Sequence, residues 1–161
     1  MYTLVRKLQK PVYNSAYRML GNADDAADVT QTTFLKVFEN IKQFDPRYRL
    51  FSWTYRIAMI ESIDQLKRRS RSEPLREPPA SAENQPPESV AAAQLGDEVQ
   101  GTLMELSEDQ RAVMVLRYFG DRSYEEIAQI LEIPEKTVKS RLFSARQQMR
   151  NKLHEHGVFS S

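Results

Sequence analysis

The chain has 161 residues, 40% of them hydrophobic, and a formal net charge of +1. This is long enough for one domain or two small ones, and the charge shows no overall bias towards nucleic acid. The absence of cysteine excludes disulfides, thiolate metal sites and a cysteine nucleophile, and fits a reducing cytoplasm. No apolar run reaches the roughly 18 residues of a membrane span, so we expect no membrane insertion.

A proline-rich segment divides the chain. Five of the eight prolines fall between residues 74 and 87, in a stretch with almost no large apolar side chain. Such a stretch buries too little surface to offset its ordering entropy and is typical of a flexible linker. Helical periodicity without strand alternation predicts an all-α protein of two small domains. We place them at 1–71 and 95–155, with a linker at 72–94 and a tail at 156–161.

The N-terminal block predicts helices at about 2–20, 23–42 and 50–70. Asn22 is a good N-cap for the second of these, with Asp24 and Asp25 in its first turn. This helix is amphipathic, and we expect its apolar face to pack in the core. The opposite face carries Asp28, Gln31, Leu35 and Glu39. It is either a solvated face or a partner-binding face, and only a partner would explain the apolar Leu35 among these polar residues.

The segment from Phe44 onwards combines aromatic and basic side chains. Stacking of unpaired bases on aromatic rings contributes about 1–3 kcal/mol per base, while cations follow the backbone. Trp53 lies one helical turn from Ile57, so it could pack in the core instead of contacting DNA. The set comprises Tyr48, Phe51, Trp53 and Tyr55, with Arg47, Arg49, Arg56, Lys67, Arg68, Arg69 and Arg71.

The C-terminal block predicts helices at about 90–105, 108–118, 123–132 and 135–152. Ser107 and Ser123 are expected N-caps, and Pro134 suits the first position of the last helix. Ile127, Ala128 and Leu131 form the expected inward stripe of the third helix in this block.

The last two helices of the block differ in charge. Acidic residues lie before Pro134, and every charged residue from Lys136 to Lys152 is basic. A short turn between two helices, with a basic second helix, indicates a helix-turn-helix whose second helix enters the major groove. An ordinary helical hairpin with a solvated basic face is the alternative. The residues that point away from the inward stripe of the last helix are Lys136, Lys139, Ser140, Phe143 and Ser144.

Two stretches resemble a known family. "LSEDQRAVMVLRYFGDRSYEEIAQILEIPEKTVKSRLFSARQQMRNKL" is similar to the C-terminal DNA-binding domain of bacterial sigma factors of the extracytoplasmic-function (ECF) type, although response-regulator output domains share the "EIA…TVK" frame. "YRMLGNADDAADVTQTTFLKVFENIKQF" and "FSWTYRIAMIESIDQLKRRSR" resemble the second conserved region of the same family, in the right order and before a linker.

The resemblance implies a sigma factor that binds core RNA polymerase and directs it to promoters. Asp28, Gln31, Phe34 and Leu35 would dock on the clamp of the large catalytic subunit. The −10 element would be opened and read by Arg47, Tyr48, Arg49, Trp53, Arg56, Ile60, Lys67, Arg68, Arg69 and Arg71. The −35 element would be bound by Lys136, Lys139, Ser140, Phe143 and Ser144, with Arg117 on a phosphate. Arg141 and Arg146 could serve phosphates or acids of their own domain. Many relatives also bind an anti-sigma factor.

Two positions depart from the family pattern. Ile60 stands where a polar residue, often asparagine, is common, and an isoleucine cannot hydrogen-bond a base. Ser144 stands where a longer basic residue is frequent, which would shorten the base contact.

Other functions explain less of the sequence. A stand-alone helix-turn-helix regulator leaves Leu35 and the "KRRSR" cluster without a role. The chain has no Gly-rich phosphate loop and no evident nucleophile–base pair, so we expect neither an enzyme nor a cofactor. His154 and His156 lie in a short C-terminal tail of a chain without cysteine, so they are expected to be solvent-exposed and no metal site is expected.

Overall fold

A computed structural model of the chain describes residues 2–46, 49–72, 90–155 and Gly157. Arg47, Tyr48, most of the predicted linker and nearly all of the predicted tail lie outside the described residues. Within these ranges the chain forms seven α-helices, one short 3-10 helix and no β-strand, which confirms the all-α class. The α-helices are α1 (Tyr2–Leu20), α2 (Ala23–Asn40), α3 (Leu50–Ser72), α4 (Val90–Glu105), α5 (Glu108–Tyr118), α6 (Tyr124–Leu131) and α7 (Glu135–Glu155).

Polar side chains begin three of these helices. The Asn22 side chain accepts a hydrogen bond from the Asp25 backbone N–H at 2.9 Å, and Ser107 accepts one from Gln110 at 3.3 Å. Ser123 forms a complete capping box with Glu126. Each such cap contributes about 1 kcal/mol. These side chains therefore fix where α2, α5 and α6 start, as the sequence predicts.

Pro134 occupies a position relative to the last helix that is one place earlier than the predicted first helical position. Its carbonyl accepts the N–H of Val138 at 3.2 Å, so Pro134 occupies the N-cap position and α7 begins at Glu135. A proline fits there because the N-cap N–H takes no part in the helical ladder. The extended backbone favoured before a proline also separates α6 from α7.

One buried apolar cluster runs through both halves of the chain. It joins Met19 and Tyr55 of the N-terminal helices to Leu103, Leu116 and Leu142 of the C-terminal helices. The two predicted domains therefore pack against each other and share a core.

The inward stripe of α6 differs from the prediction. Ile127 and Ile130 are the buried residues, whereas Ala128 and Leu131 are only partly buried. The reason is that α6 packs against both α7 and α3, so its buried face is turned towards a second neighbour.

Candidate nucleic-acid and protein interfaces

The basic half of α7 presents one outward face. Val138, Leu142 and Ala145 are buried against the rest of the domain. The residues predicted to face DNA are all exposed, and Phe143 is 69% exposed: Lys136, Lys139, Ser140, Phe143 and Ser144. An aromatic ring this exposed has no packing role in the described part of the chain. It lies among cations on a helix that follows a tight turn, which is the arrangement of a DNA-reading helix.

Two glutamates define the two ends of α6, the helix before the turn into α7. Glu126 accepts a hydrogen bond from the Ser123 N–H at 3.1 Å and forms an ion pair with Arg122 at 3.0 Å. Burial opposes its ionisation, but the hydrogen bonds with Ser123 and the charges of Arg122 and Arg49 together outweigh burial and hold the pKa of Glu126 below its usual value. Glu132 ends α6 in the left-handed conformation, with φ 54°. This reversal turns the chain sharply into α7.

An arginine–tyrosine cluster lies beside the outward face of α7. Arg146 Nε donates to the Tyr118 hydroxyl at 2.6 Å, and Arg146 Nη2 donates to the Tyr124 hydroxyl at 3.1 Å. The Arg117 guanidinium lies 5.1 Å from the Tyr124 ring centroid. The hydrogen bond from Arg146 is the main cause that lowers the pKa of Tyr124, and the charges of Arg117 and Lys139 add to it. The same bond raises the pKa of Arg146.

Sequence reasoning missed the two tyrosines. In the sequence, Tyr118 and Tyr124 are ordinary aromatic positions. What distinguishes them is that both hydroxyls contact Arg146, and this becomes visible only when the three helices are packed together. Arg141, by contrast, approaches an acid of its own domain, because its Nη2 lies 4.0 Å from an Asp109 oxygen.

The predicted −10 face lies along α3. Trp53 is half-buried, with its ring 5.2 Å from that of Phe44, whereas Ile60 is 45% exposed. Tyr55 is fully buried and contributes to the core. The solvent-facing residues of this set are Arg49, Ile60, Lys67, Arg68 and Arg71, and Arg56 is half-buried.

Arg69 differs from its basic neighbours. It is ion-paired with the buried carboxylate of Asp25, and its Nη1 donates to the Leu20 carbonyl at 2.9 Å. This arginine ties the end of α3 to the α1–α2 junction. The geometry therefore favours a structural role for Arg69 over the predicted DNA contact.

The predicted docking face lies on α2. Asp28 and Gln31 are exposed and Leu35 is 54% exposed, whereas Phe34 is buried in the core beneath them. An apolar groove between α1 and α2 runs beside this face, and its lining includes Val5, Tyr13, Phe34, Leu35 and Phe38. Among the predicted docking residues, Leu35 therefore offers the largest accessible apolar surface.

Three arginines fasten the C-terminal helices to the N-terminal ones. Arg111, which is 5% exposed, donates to the Met19 carbonyl at 2.7 Å. Arg122 lies with its guanidinium 4.2 Å from the Phe51 ring centroid. Arg56 is ion-paired with Glu132. The start of α3 is therefore covered by α6, and no local sequence pattern indicates these contacts.

The described ranges contain neither a cluster of metal-ligating side chains nor a membrane-spanning helix. No group of three or more His, Asp or Glu side chains in the described residues could hold a metal ion. Among the helices described, none is long and apolar enough to cross a membrane.

Two family models match the chain. The model described as Sigma-70 region 2 matches residues 4–72, and the model described as Sigma-70, region 4 matches residues 96–149. Together these matches cover most of the chain.

Curated relatives and a solved structure give the same picture. The ECF RNA polymerase sigma factor SigW of Bacillus subtilis is 31% identical over 156 residues, covering 89% of this chain and 83% of that protein. The ECF RNA polymerase sigma factor SigE of Mycolicibacterium smegmatis is 37% identical over 158 residues, covering 95% of this chain and 61% of that protein. The sigma factor RpoE of Bartonella quintana, solved in complex with the anti-sigma factor NepR, matches with a TM-score of 0.77 at 22% identity. The match covers 95% of this chain and 96% of that one, and supports the fold.

Proposed function

This chain belongs to the sigma-70 family of RNA polymerase sigma factors, in its ECF type, and we propose that its helices divide the work of promoter recognition as follows. The protein is a transcription initiation factor that directs RNA polymerase to promoters. In our proposal α2 docks on the clamp of the large catalytic subunit, α3 opens and reads the −10 element, and α7 binds the −35 element.

The observation that carries this division is the exposure of Leu35. Leu35 is 54% exposed on a helix whose opposite face is well buried. Exposing this apolar surface to water is unfavourable, and covering it with a partner lowers the free energy. Asp28 and Gln31 lie within two turns of it on the same side of α2, and supply polar contacts at the edge. Phe34 lies below and supports Leu35 from the core.

The −10 element is assigned to the exposed length of α3 and the loop before it. We propose that Trp53 and Ile60 contact bases, and that Arg49, Arg56, Lys67, Arg68 and Arg71 follow the backbone, together with Arg47 and Tyr48. Arg56 can contact the DNA backbone only after its ion pair with Glu132 has broken.

The −35 element is assigned to α7. Lys136, Lys139, Ser140, Phe143 and Ser144 would face the major groove, with Arg117, Arg141 and Arg146 beside it. The domains proposed at 1–71 and 95–155 would be joined by the linker at 72–94. Because α3 ends at Ser72 and α4 begins at Val90, the stretch between them could reach at most about 53 Å, at about 3.1 Å per extended residue.

Three further points follow from the family. We propose that the chain performs no catalytic step of its own and acts in the cytoplasm, where promoters and polymerase are. We also propose an anti-sigma factor as a partner, since the Bartonella quintana relative is bound to one in its structure.

Co-elution with core polymerase and run-off transcription test the proposal. Leu35→Asp is expected to abolish co-elution with core polymerase without loss of folding, because the residue is exposed. Ile60→Asp is the matched control: it places the same charge at a similarly exposed apolar position of α3. It should retain co-elution and reduce promoter-specific transcription.

The outcomes are separable. If the wild-type chain neither co-elutes with core polymerase nor supports promoter-specific initiation, the proposed function is wrong. If Leu35→Asp still co-elutes, the docking face lies elsewhere on the protein.

A further inference from the structure

A cavity of about 200 Å³ lies between the two halves of the protein, where α3 meets α6. Its lining comes from the end of the 3-10 helix and the loop after it, from the first turns of α3, and from the end of α6. Because both halves contribute walls, the cavity exists only while they are packed together. The function proposed above leaves the cavity itself without a role.

The buried end of the cavity carries a hydroxyl without a partner. Ser52 lines the cavity and is 2% exposed, and its Oγ forms no hydrogen bond within the described part of the chain. Thr54 on the same helix instead donates to the Leu50 carbonyl at 2.9 Å. A buried hydroxyl left unbonded is unfavourable, because it has lost its water without gaining a partner. A molecule in the cavity that bonds to Ser52 would remove this penalty.

The walls offer an aromatic ring and two side-chain amides. The Trp53 ring is half-buried, with its centroid 5.2 Å from that of Phe44, so part of the ring remains for a ligand. Gln43 lies at the exposed rim, and Gln129 is half-buried on α6. An amide both donates and accepts hydrogen bonds, as does the hydroxyl of Ser52. This set suits a ligand whose own groups do both, which is the property of hydroxyl groups carried on a ring.

The charges around the cavity favour an uncharged ligand. Arg56 is neutralised by its ion pair with Glu132, and Asp45 adds a second carboxylate to the lining. Two carboxylates repel an anion. A cation would compete with Arg56 for Glu132 and would weaken the contact that closes the cavity. An uncharged ligand leaves the ion pair intact, and its hydroxyl groups can donate to the carboxylates.

The volume sets the size of the ligand. Each molecule of liquid water takes up about 30 Å³, so the cavity has room for about seven of them. This is the size of a single six-membered ring with its hydroxyl groups, and it is too small for an oligosaccharide or a nucleotide.

We propose that this cavity binds one uncharged, hydroxyl-rich ring molecule, a monosaccharide or a cyclitol, with Ser52 as its deepest contact and Trp53 against one of its faces. Since α3 and α6 both line the site, the ligand binds the closed arrangement alone and stabilises it by mass action. Binding therefore opposes any contact of Trp53 and Arg56 with DNA. This consequence rests on the proposed −10 function of α3, whereas binding to the free protein does not.

Trp53 is the only tryptophan of the chain, so its fluorescence reports on the cavity directly. The full chain is titrated over the millimolar range with D-glucose, D-galactose and myo-inositol. We expect a saturable change with at least one of them, and the probe that saturates separates a monosaccharide site from a cyclitol site. Sorbitol, an open-chain polyol, is the control for solvent effects and should give no saturation.

Two serine substitutions on α3 locate the binding. Ser52→Ala should weaken binding of the probe about fivefold to tenfold, because it removes one buried hydrogen bond. The melting temperature of the free protein should stay or rise, since the hydroxyl has no partner there. Ser62→Ala is the matched control, because Ser62 is also buried with an unpartnered hydroxyl but does not line the cavity. It should bind the probe as the wild type does.

The outcomes decide each part of the proposal. If no ring probe gives a saturable change, or if Ser52→Ala and Ser62→Ala bind the probe equally, the ligand site is wrong. The probe that binds should lower run-off transcription by the wild type and have much less effect on Ser52→Ala. Unchanged wild-type transcription at saturating probe would overturn the link between the ligand and closure. A chain that supports no initiation even without probe would overturn the proposed function instead, and the titrations would still decide the site.

Discussion

Arg56 of α3 is ion-paired with Glu132, the left-handed residue that ends α6. One partner belongs to the face proposed for the −10 element, and the other belongs to the turn of the helix-turn-helix. The same pair lines a small pocket with Trp53 and Gln129. In this arrangement the C-terminal domain covers part of the surface that the N-terminal domain is proposed to offer to DNA, so we expect promoter binding to require that the two separate.

The first prediction concerns that separation. Glu132→Gln is expected to favour the open arrangement by at most about fivefold, since a half-exposed ion pair contributes only about 0.2–1 kcal/mol. The chain has no cysteine, so single cysteines introduced into α1 and α7 can carry dyes, and energy transfer between them measures the closed fraction. Glu125→Gln, exposed on the same helix, is the control and should leave the transfer unchanged.

The same pair makes closure depend on pH. The hydrogen bond from Arg56 lowers the pKa of Glu132 below its usual value. The stabilisation is therefore present above the ordinary glutamate pKa and is lost as the pH falls through the lowered one. Energy transfer in the wild type should drop over that acidic range more than in Glu132→Gln. Identical titrations would show that the pair does not contribute to closure.

The second prediction concerns Arg111, whose buried guanidinium binds four backbone carbonyls. Nη1 donates to Met19, while Nε and Nη2 donate to three carbonyls at the end of α4, at 2.9–3.0 Å: Leu103, Met104 and Leu106. Burial lowers the pKa of Arg111, and the nearby charge of Glu108 opposes the shift. The carbonyls lie at the partly negative C-terminal ends of two helices, and one cation binds them together.

Arg111→Met should therefore destabilise the protein by about 3–5 kcal/mol, because it leaves several buried carbonyls without donors. Denaturant unfolding followed by circular dichroism measures the change. Arg150→Met, at an exposed position of α7, should stay within about 0.5 kcal/mol of the wild type. A loss below about 1 kcal/mol for Arg111→Met would mean that water replaces the guanidinium.

Local signals explain which features were predictable. Asn22, Ser107 and Ser123 cap backbone groups three residues away, so their effect can be predicted from neighbouring residues in the sequence. The exposure of Leu35 was predictable because it lies on the polar face of an amphipathic helix, whereas its docking role stays a prediction. Arg111 and Arg122 were not, because their partners lie in other helices and depend on how the two domains pack. Arg69 shows the same limit, because it lies in a basic cluster of the sequence but forms an ion pair with Asp25 in the structure.

The third prediction concerns Ile60, an exposed isoleucine on the face proposed for the −10 element. Ile60→Asn supplies a donor and an acceptor where the natural side chain has neither. Because the site is exposed, stability should change by no more than about 0.5 kcal/mol. We expect a new preference at one −10 position, measured by run-off transcription from a library of promoters varied at that element. An unchanged preference profile would place Ile60 away from the bases.

The fourth prediction concerns Ser144, which lies about 160° around α7 from Arg146 and so on the other shoulder of the helix. If Arg146 meets one edge of the groove, a cation at residue 144 would approach the opposite edge. Ser144→Arg is therefore expected to strengthen binding of the polymerase complex to −35 DNA several-fold and to steepen its salt dependence by about 0.9. Gln148→Arg adds the same charge one turn further from the groove and should have a smaller effect. Equal effects of the two substitutions would indicate general attraction to DNA, and no effect of Ser144→Arg would mean that this shoulder of α7 faces solvent.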